Sequence, residues 1–149
     1  MAQALLRGVD VRRPAGMAAL ALVAALAMTG WDMVMDPPMV AAGAWVWEQG
    51  GPYFGVPRQN YFGWVLNTFL IYLAFNATQR IGAKADEPPY RFGGVFAALP
   101  VAIYVLFAVE YLMPGRMPAL TVVAVFSMLM PGLLALMRIG LPAASAKPV

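Results

Sequence analysis

Long apolar runs dominate the chain and are separated by short stretches rich in polar residues, glycine or proline. The runs cover residues 15–35, 61–77, 92–113 and 117–137. A helix needs about 20 mainly apolar residues to cross the hydrocarbon core of a bilayer. The pattern therefore predicts an all-α integral membrane protein, with four transmembrane helices forming a single membrane domain over residues 1–149. Between the first two helices it predicts an aromatic-rich interfacial loop, residues 36–60.

The first run begins as a secretory signal does, with Arg12 and Arg13 before an Ala/Leu-rich core. This core is long, however, and continues to Trp31 and Asp32 instead of reaching a cleavage site made of small residues. We therefore expect a retained helix. Because proline cannot donate a backbone hydrogen bond, Pro37 and Pro38 are expected to end it.

Basic residues are distributed unevenly between the connections. Eight of the ten lie in the N-terminal tail, in the 78–91 connection or on the C-terminal side: Arg7, Arg12, Arg13, Arg80, Lys84, Arg91, Arg138 and Lys147. The other two, Arg58 and Arg116, lie in the remaining connections. Basic loops tend to stay in the cytoplasm. We therefore expect a multi-pass protein of a bacterial inner or photosynthetic membrane, with both termini cytoplasmic.

Composition narrows the chemistry that the chain can perform. Hydrophobic residues make up 62% of it and charged residues 11%, whereas soluble domains average roughly 25% charged. Cysteine and histidine are absent, which excludes disulfides, thiolate metal sites and the commonest general base. Reactive groups must therefore be carboxylates, amides, hydroxyls or tyrosines. The net charge of +3 comes from scattered residues, so nucleic acid is not an expected partner.

Asp32 and Asp36 are four residues apart at the end of the first run. Side chains at this spacing lie on one face of a helix. Two neighbouring carboxyls in a poorly solvated place cannot both ionise cheaply, so one is expected to keep a proton that it can donate. Solvated carboxyls at the outer interface would show the same spacing. A magnesium-dependent prenyl-group enzyme needs more acidic ligands than this region has, so no metal site is expected.

Aromatic residues crowd the segment that follows: Trp45, Trp47, Tyr53, Phe54, Tyr61, Phe62 and Trp64. An aromatic anchor at headgroup depth explains the number of rings. It does not explain Asn60 among them, or Asn67 within the second run. Intramembrane polar residues are costly and indicate a functional site, although Asn67 could equally form a hydrogen bond between helices.

Four short motifs follow one another here: Trp31-Asp32 with Asp36-Pro37, Gly43 with Trp45 and Trp47, Tyr53 to Pro57, and Asn60 to Trp64. Together they resemble the membrane carotenoid-biosynthesis family of CruF-type carotenoid hydratases, most strongly over residues 31–70. That family adds water to the terminal double bond of an acyclic carotenoid, giving a tertiary alcohol.

The resemblance implies a role for each matched residue. Asp32 and Asp36 would be the catalytic acid pair, and Asn60 or Tyr53 would hold the water. Rings would contact the carotenoid or a lipid and shelter the cation: Trp45, Trp47, Trp64 and Phe54. It implies no required cofactor, although a carotenoid, another pigment or a lipid could be bound.

The resemblance also implies an N-terminally shortened member that covers only about the C-terminal half of the family. A catalytic site needs preorganised neighbours on more than one side. We therefore expect a non-catalytic accessory subunit of a larger pigment-containing membrane complex, of the photosynthetic reaction centre–antenna type. Its partners would be other integral membrane subunits, carotenoid and lipid. The alternative is an active carotenoid hydratase.

Overall fold

The computed structural model describes residues 1–82, 94–113 and 117–140, and these are mainly helical. The α-helices are α1 (Ala2–Leu5), α2 (Pro14–Ala41), α3 (Arg58–Gly82), α4 (Gly94–Glu110), α5 (Thr121–Ala124) and α6 (Met130–Gly140). A 3₁₀ turn, Pro118–Leu120, precedes α5, and a π-helical segment, Val125–Leu129, joins α5 to α6. The expected all-α class is confirmed for the described residues. The predicted membrane sides of four basic residues concern residues outside the described ranges: Lys84, Arg91, Arg116 and Lys147.

Two helical stretches are long and apolar enough to cross a membrane. They are Pro14–Ala41, with a mean hydropathy of 1.7, and Pro118–Gly140, with a mean hydropathy of 2.2. Val95–Glu110 is apolar but shorter, and α3 is long enough but carries several polar residues. The structure therefore contains two candidate membrane spans. The arrangement of four spans stays a prediction.

The helix α2 lies between the other long helices and has a buried residue on almost every turn. One side packs against α3, and the other packs against the last span and, through side chains, against α4. On this second side Val34, Ala108 and Met128 are fully buried in one cluster. The Trp31 ring packs against the Phe107 ring, with 5.3 Å between centroids. A helix apolar all round is expected at such a central position.

Small residues allow α2 and the last span to approach closely at Gly30. A Cβ atom added there would lie 2.8 Å from the Ser127 carbonyl oxygen. The Ser127 hydroxyl donates to the Gly30 carbonyl oxygen at 3.1 Å. Glycine and serine at one crossing are typical of helix packing within membranes.

The chain ends of the described structure are joined by reciprocal arginine contacts. Arg138 Nη1 donates to the Leu5 carbonyl oxygen, and Arg7 Nη1 donates to the Arg138 carbonyl oxygen, each at 2.6 Å. The short helix α1 is thereby held against the end of α6. The segment that precedes the first candidate span thus lies beside the end of the last one. On which side of a membrane they lie stays a prediction.

The expectation that Pro37 and Pro38 end the first helix is wrong, because α2 continues through both to Ala41. Pro37 lacks the N–H group that would bond to the Met33 carbonyl oxygen. The Tyr53 hydroxyl donates to that oxygen at 3.0 Å instead. The Met33 carbonyl oxygen therefore keeps a hydrogen-bond donor, although α2 continues beyond both prolines.

Helix α2 ends at a Schellman motif around Gly43. Gly43 has a φ of 69°, a left-handed conformation that suits glycine. Its N–H group donates to the Val40 carbonyl oxygen, and the Ala44 N–H group donates to that of Met39, each at 2.9 Å. The predicted loop 36–60 is therefore shorter, residues 42–57, and α3 begins at Arg58 instead of residue 61.

Candidate functional site

Asn60 connects the two aspartates of α2. Its Nδ2 atom donates to Asp32 Oδ2 at 3.0 Å and to Asp36 Oδ2 at 2.6 Å. Both carboxyl groups are buried, with 2% and 1% of the residue exposed. Asn60 lies in the first turn of α3, and its N–H group donates to the Pro57 carbonyl oxygen at 3.0 Å. The start of α3 thus places one amide between two carboxyls a helical turn apart.

Because one amide nitrogen bonds to an oxygen of each, the two carboxyl groups lie close together in a buried place. Two such carboxyls cannot both ionise cheaply, so one of them is expected to keep a proton. The second oxygen of Asp36, Oδ1, is buried and has no hydrogen-bond partner. The pair can therefore hold a proton and offers one free acceptor beside it.

This acidic pair opens into a cavity of about 630 Å³. All four tryptophans of the chain line it. The full lining is Met28, Trp31, Asp32, Met35, Asp36, Ala44, Trp45, Val46, Trp47, Asn60 and Trp64. Trp45 and Trp64 are each 38% exposed, so the aromatic wall reaches the surface. The cavity combines an acid with several aromatic faces, which suits an apolar ligand that becomes positively charged.

A tight turn over residues 51–56 stabilises the loop before α3. A Cβ atom on Gly51 would overlap the backbone of Val56, so only glycine fits there. The Val56 N–H group donates to the Tyr53 carbonyl oxygen at 2.8 Å, and the Val56 side chain is fully buried. The Tyr53 ring meets the Tyr61 ring edge-on, with centroids 5.5 Å apart. The turn therefore directs Tyr53 onto α2.

The structure brings most of the predicted site residues together. Those lining the cavity are Asp32, Asp36, Asn60, Trp45, Trp47 and Trp64. Tyr53 and Phe54 are not among its lining residues. Tyr53 donates to Met33, and the Phe54 ring, on a residue with a φ of 51°, packs edge-on against Tyr53 at 4.8 Å. What each of these residues does in catalysis or binding stays a prediction.

Three lining residues on α2 were not predicted as part of the site: Met28, Trp31 and Met35. With Asp32 and Asp36 they follow the three- and four-residue spacing of one helical face. Extending that spacing backward from the aspartates would have identified all three. The described residues bring together no group of three or more histidine, cysteine or carboxylate side chains.

Burial raises the pKa of Tyr53 from its ordinary value of 10.0 to about 12, and the nearby charge of Asp36 contributes less. The phenol therefore keeps its proton at neutral pH. A neutral phenol is a donor, as its bond to Met33 requires.

Comparison with known proteins places these residues within a family. A family model described as carotenoid biosynthesis protein matches residues 1–142. A bisanhydrobacterioruberin hydratase of Haloarcula japonica is 44% identical over 45 residues, which are 30% of this chain and 15% of that relative. No solved structure matches. These comparisons do not support the expectation of an N-terminally shortened member. The chain belongs to the carotenoid biosynthesis protein family.

Proposed function

We propose that this chain is a carotenoid hydratase, which adds water to the terminal double bond of an acyclic carotenoid. One observation carries the proposal: a buried carboxyl pair, bridged by Asn60, lies in the wall of a cavity that all four tryptophans line. Membership of the family supplies the class of substrate. The name of the Haloarcula relative supports hydration as the reaction.

The reaction begins with a proton. The protonated carboxyl of the Asp32 and Asp36 pair transfers it to the less substituted carbon of the double bond, which forms a C–H bond. The neighbouring carbon becomes a tertiary cation. Indole faces stabilise such a cation through their negative quadrupole, and Trp45 and Trp64 supply these faces. Water then forms the C–O bond, and its surplus proton returns to the carboxyl pair.

The comparisons give no support to the accessory-subunit function predicted from sequence. The description of the family and the name of the hydratase relative favour the alternative, hydration. The cavity with the carboxyl pair in its wall is compatible with that reaction. Hydration is therefore the function that we propose. Membrane partners and a bound pigment or lipid stay predictions.

The test is conversion by the chain itself. The chain is expressed in a host that accumulates an acyclic carotenoid, and pigments are extracted for liquid chromatography and mass spectrometry. A product heavier by one water is expected. Asp32→Asn and Asp36→Asn should each lower its yield by about 10²- to 10⁴-fold, the usual contribution of a general acid.

The control is Asp10→Asn, since Asp10 is exposed in the N-terminal segment and does not line the cavity. It should keep wild-type yield. If the wild-type protein is present in the membrane and makes no alcohol, or if both aspartate variants retain full yield, the proposal is wrong.

A further inference from the structure

The proposed hydration needs a binding site for its water, and the two residues first expected to provide it are engaged elsewhere. A phenol has one proton, and that of Tyr53 is directed to the Met33 carbonyl oxygen. The amide of Asn60 donates to both carboxyl groups. The donor groups of both residues are therefore committed, and, given the proposed function, a donor for the water has to come from another residue of the cavity.

Two atoms at the cavity have the chemistry required. Asp36 Oδ1 and Trp47 Nε1 are both buried, both lack a hydrogen-bond partner, and both belong to residues that line the cavity. Asp36 is 1% exposed. The other buried side-chain atoms without partners in the described chain belong to Thr29, Tyr61 and Asn76, which do not line it.

Buried polar atoms without partners are uncommon in folded proteins because each costs free energy. These two are also complementary. Trp47 Nε1 is a donor only, and Asp36 Oδ1 is an acceptor when its carboxyl is ionised. A water molecule accepts through its oxygen and donates through its hydrogens, so one water between the two atoms would satisfy both.

We propose that Trp47 Nε1 and Asp36 Oδ1 bind the water that attacks the cation. The indole N–H group holds the water oxygen. One lone pair of that oxygen forms the C–O bond, and the proton released from the water passes to Asp36 Oδ1. The carboxyl pair thereby regains the proton it donated, and one water is added overall. Trp47 acts through its ring edge, whereas Trp45 and Trp64 act through their faces.

Trp47→Phe tests this assignment, because it keeps an aromatic ring and removes the N–H group. The variant is purified in detergent and incubated with an acyclic carotenoid in D₂O. Without the oriented water, the cation should lose a proton instead of gaining oxygen. Alcohol formation should fall about tenfold, as expected for one lost hydrogen bond, while deuterium still enters the recovered carotenoid.

The matched control is Trp45→Phe, which changes another ring of the same cavity. It should leave the ratio of deuterated carotenoid to alcohol at the wild-type value, even if total conversion falls. Trp47→His, which retains a ring N–H group, should partly restore the alcohol. Thermal unfolding of each variant establishes that it is folded.

A folded Trp47→Phe variant with an unchanged ratio would overturn the inference. So would one that forms neither alcohol nor deuterated carotenoid, because Trp47 would then be needed for proton transfer. If the wild-type protein produces neither, the proposed function itself has failed, and the two failures are thus distinguishable.

Discussion

The Tyr53 hydroxyl donates to the Met33 carbonyl oxygen at 3.0 Å. Met33 is four residues before Pro37, so its carbonyl is the one that the proline leaves without a donor. In α2 a tyrosine from another segment thus replaces the donor that the proline lacks. Because α2 therefore stays helical, Asp36 remains on the same face as Asp32.

Tyr53→Phe should destabilise the protein by about 1–3 kcal/mol, because it leaves the Met33 carbonyl without a donor. Thermal unfolding in detergent measures this. Tyr72→Phe is the matched control, since Tyr72 is 41% exposed and should change stability by less than about 0.5 kcal/mol. Equal melting temperatures for Tyr53→Phe and wild type would show that the contact contributes nothing.

The raised pKa of Tyr53 predicts a dependence of stability on alkaline pH. Its folded-state pKa of about 12 exceeds the ordinary 10.0, so the folded state binds more protons between these values. The associated stability is fully present below pH 10.0 and is lost as pH rises through about 12, by up to about 1.4 kcal/mol per pH unit. The stability difference between wild type and Tyr53→Phe should therefore shrink above pH 10. A constant difference from pH 8 to pH 12 would contradict this.

Gly30→Ala should force α2 and the last span apart. Its new methyl group would lie 2.8 Å from the Ser127 carbonyl oxygen and 3.2 Å from the Ser127 Cβ. Overpacking of this kind costs about 1–3 kcal/mol. The control is Gly63→Ala within α3, where no atom lies within 4 Å of the new methyl group. It should stabilise the helix by about 0.5–1 kcal/mol. The melting temperature should therefore fall for Gly30→Ala and rise for Gly63→Ala. An unchanged melting temperature for Gly30→Ala would refute the close contact.

Arg138→Ala should loosen the N-terminal helix α1 at the end of α6, because it removes the donor to the Leu5 carbonyl oxygen and leaves only the bond from Arg7 to the Arg138 carbonyl oxygen. Exposed hydrogen bonds contribute little, about 0.5–1.5 kcal/mol, so global stability should change only slightly. Hydrogen exchange in residues 2–5 should become faster, while that in α3 should not change. Arg58→Ala, an exposed arginine distant in sequence from this contact, is the control. Unchanged exchange at α1 would show that other contacts hold it.

Binding of an acyclic carotenoid should quench most of the tryptophan fluorescence, since all four indoles line one cavity. Energy transfer to a polyene at contact distance is efficient. Titration of the protein in detergent measures the quenching, with a saturated hydrocarbon of similar length as the control ligand. Loss of only a small part of the emission would place the carotenoid outside the cavity.

Much of the architecture could be predicted from local spacing. Long apolar runs predicted the main helices, and the four-residue interval predicted that Asp32 and Asp36 share a face. The inference about the aspartates holds because a helix repeats every 3.6 residues, so neighbours along its face are known from the sequence once the helix is known. Trp45, Trp47 and Trp64 were assigned to one site only through the resemblance to a known family, and the structure places all three in the lining of one cavity.

Contacts between distant segments decided the rest. The two prolines alone predict a helix end, and only the arrival of Tyr53 at Met33 shows why α2 continues to Ala41. Asn60 was singled out by its polarity, but its position between the two carboxyls depends on how α3 packs against α2. A sequence lists donors and acceptors, whereas packing decides which of them meet. Residues far apart in the chain have no fixed separation until the helices are assembled.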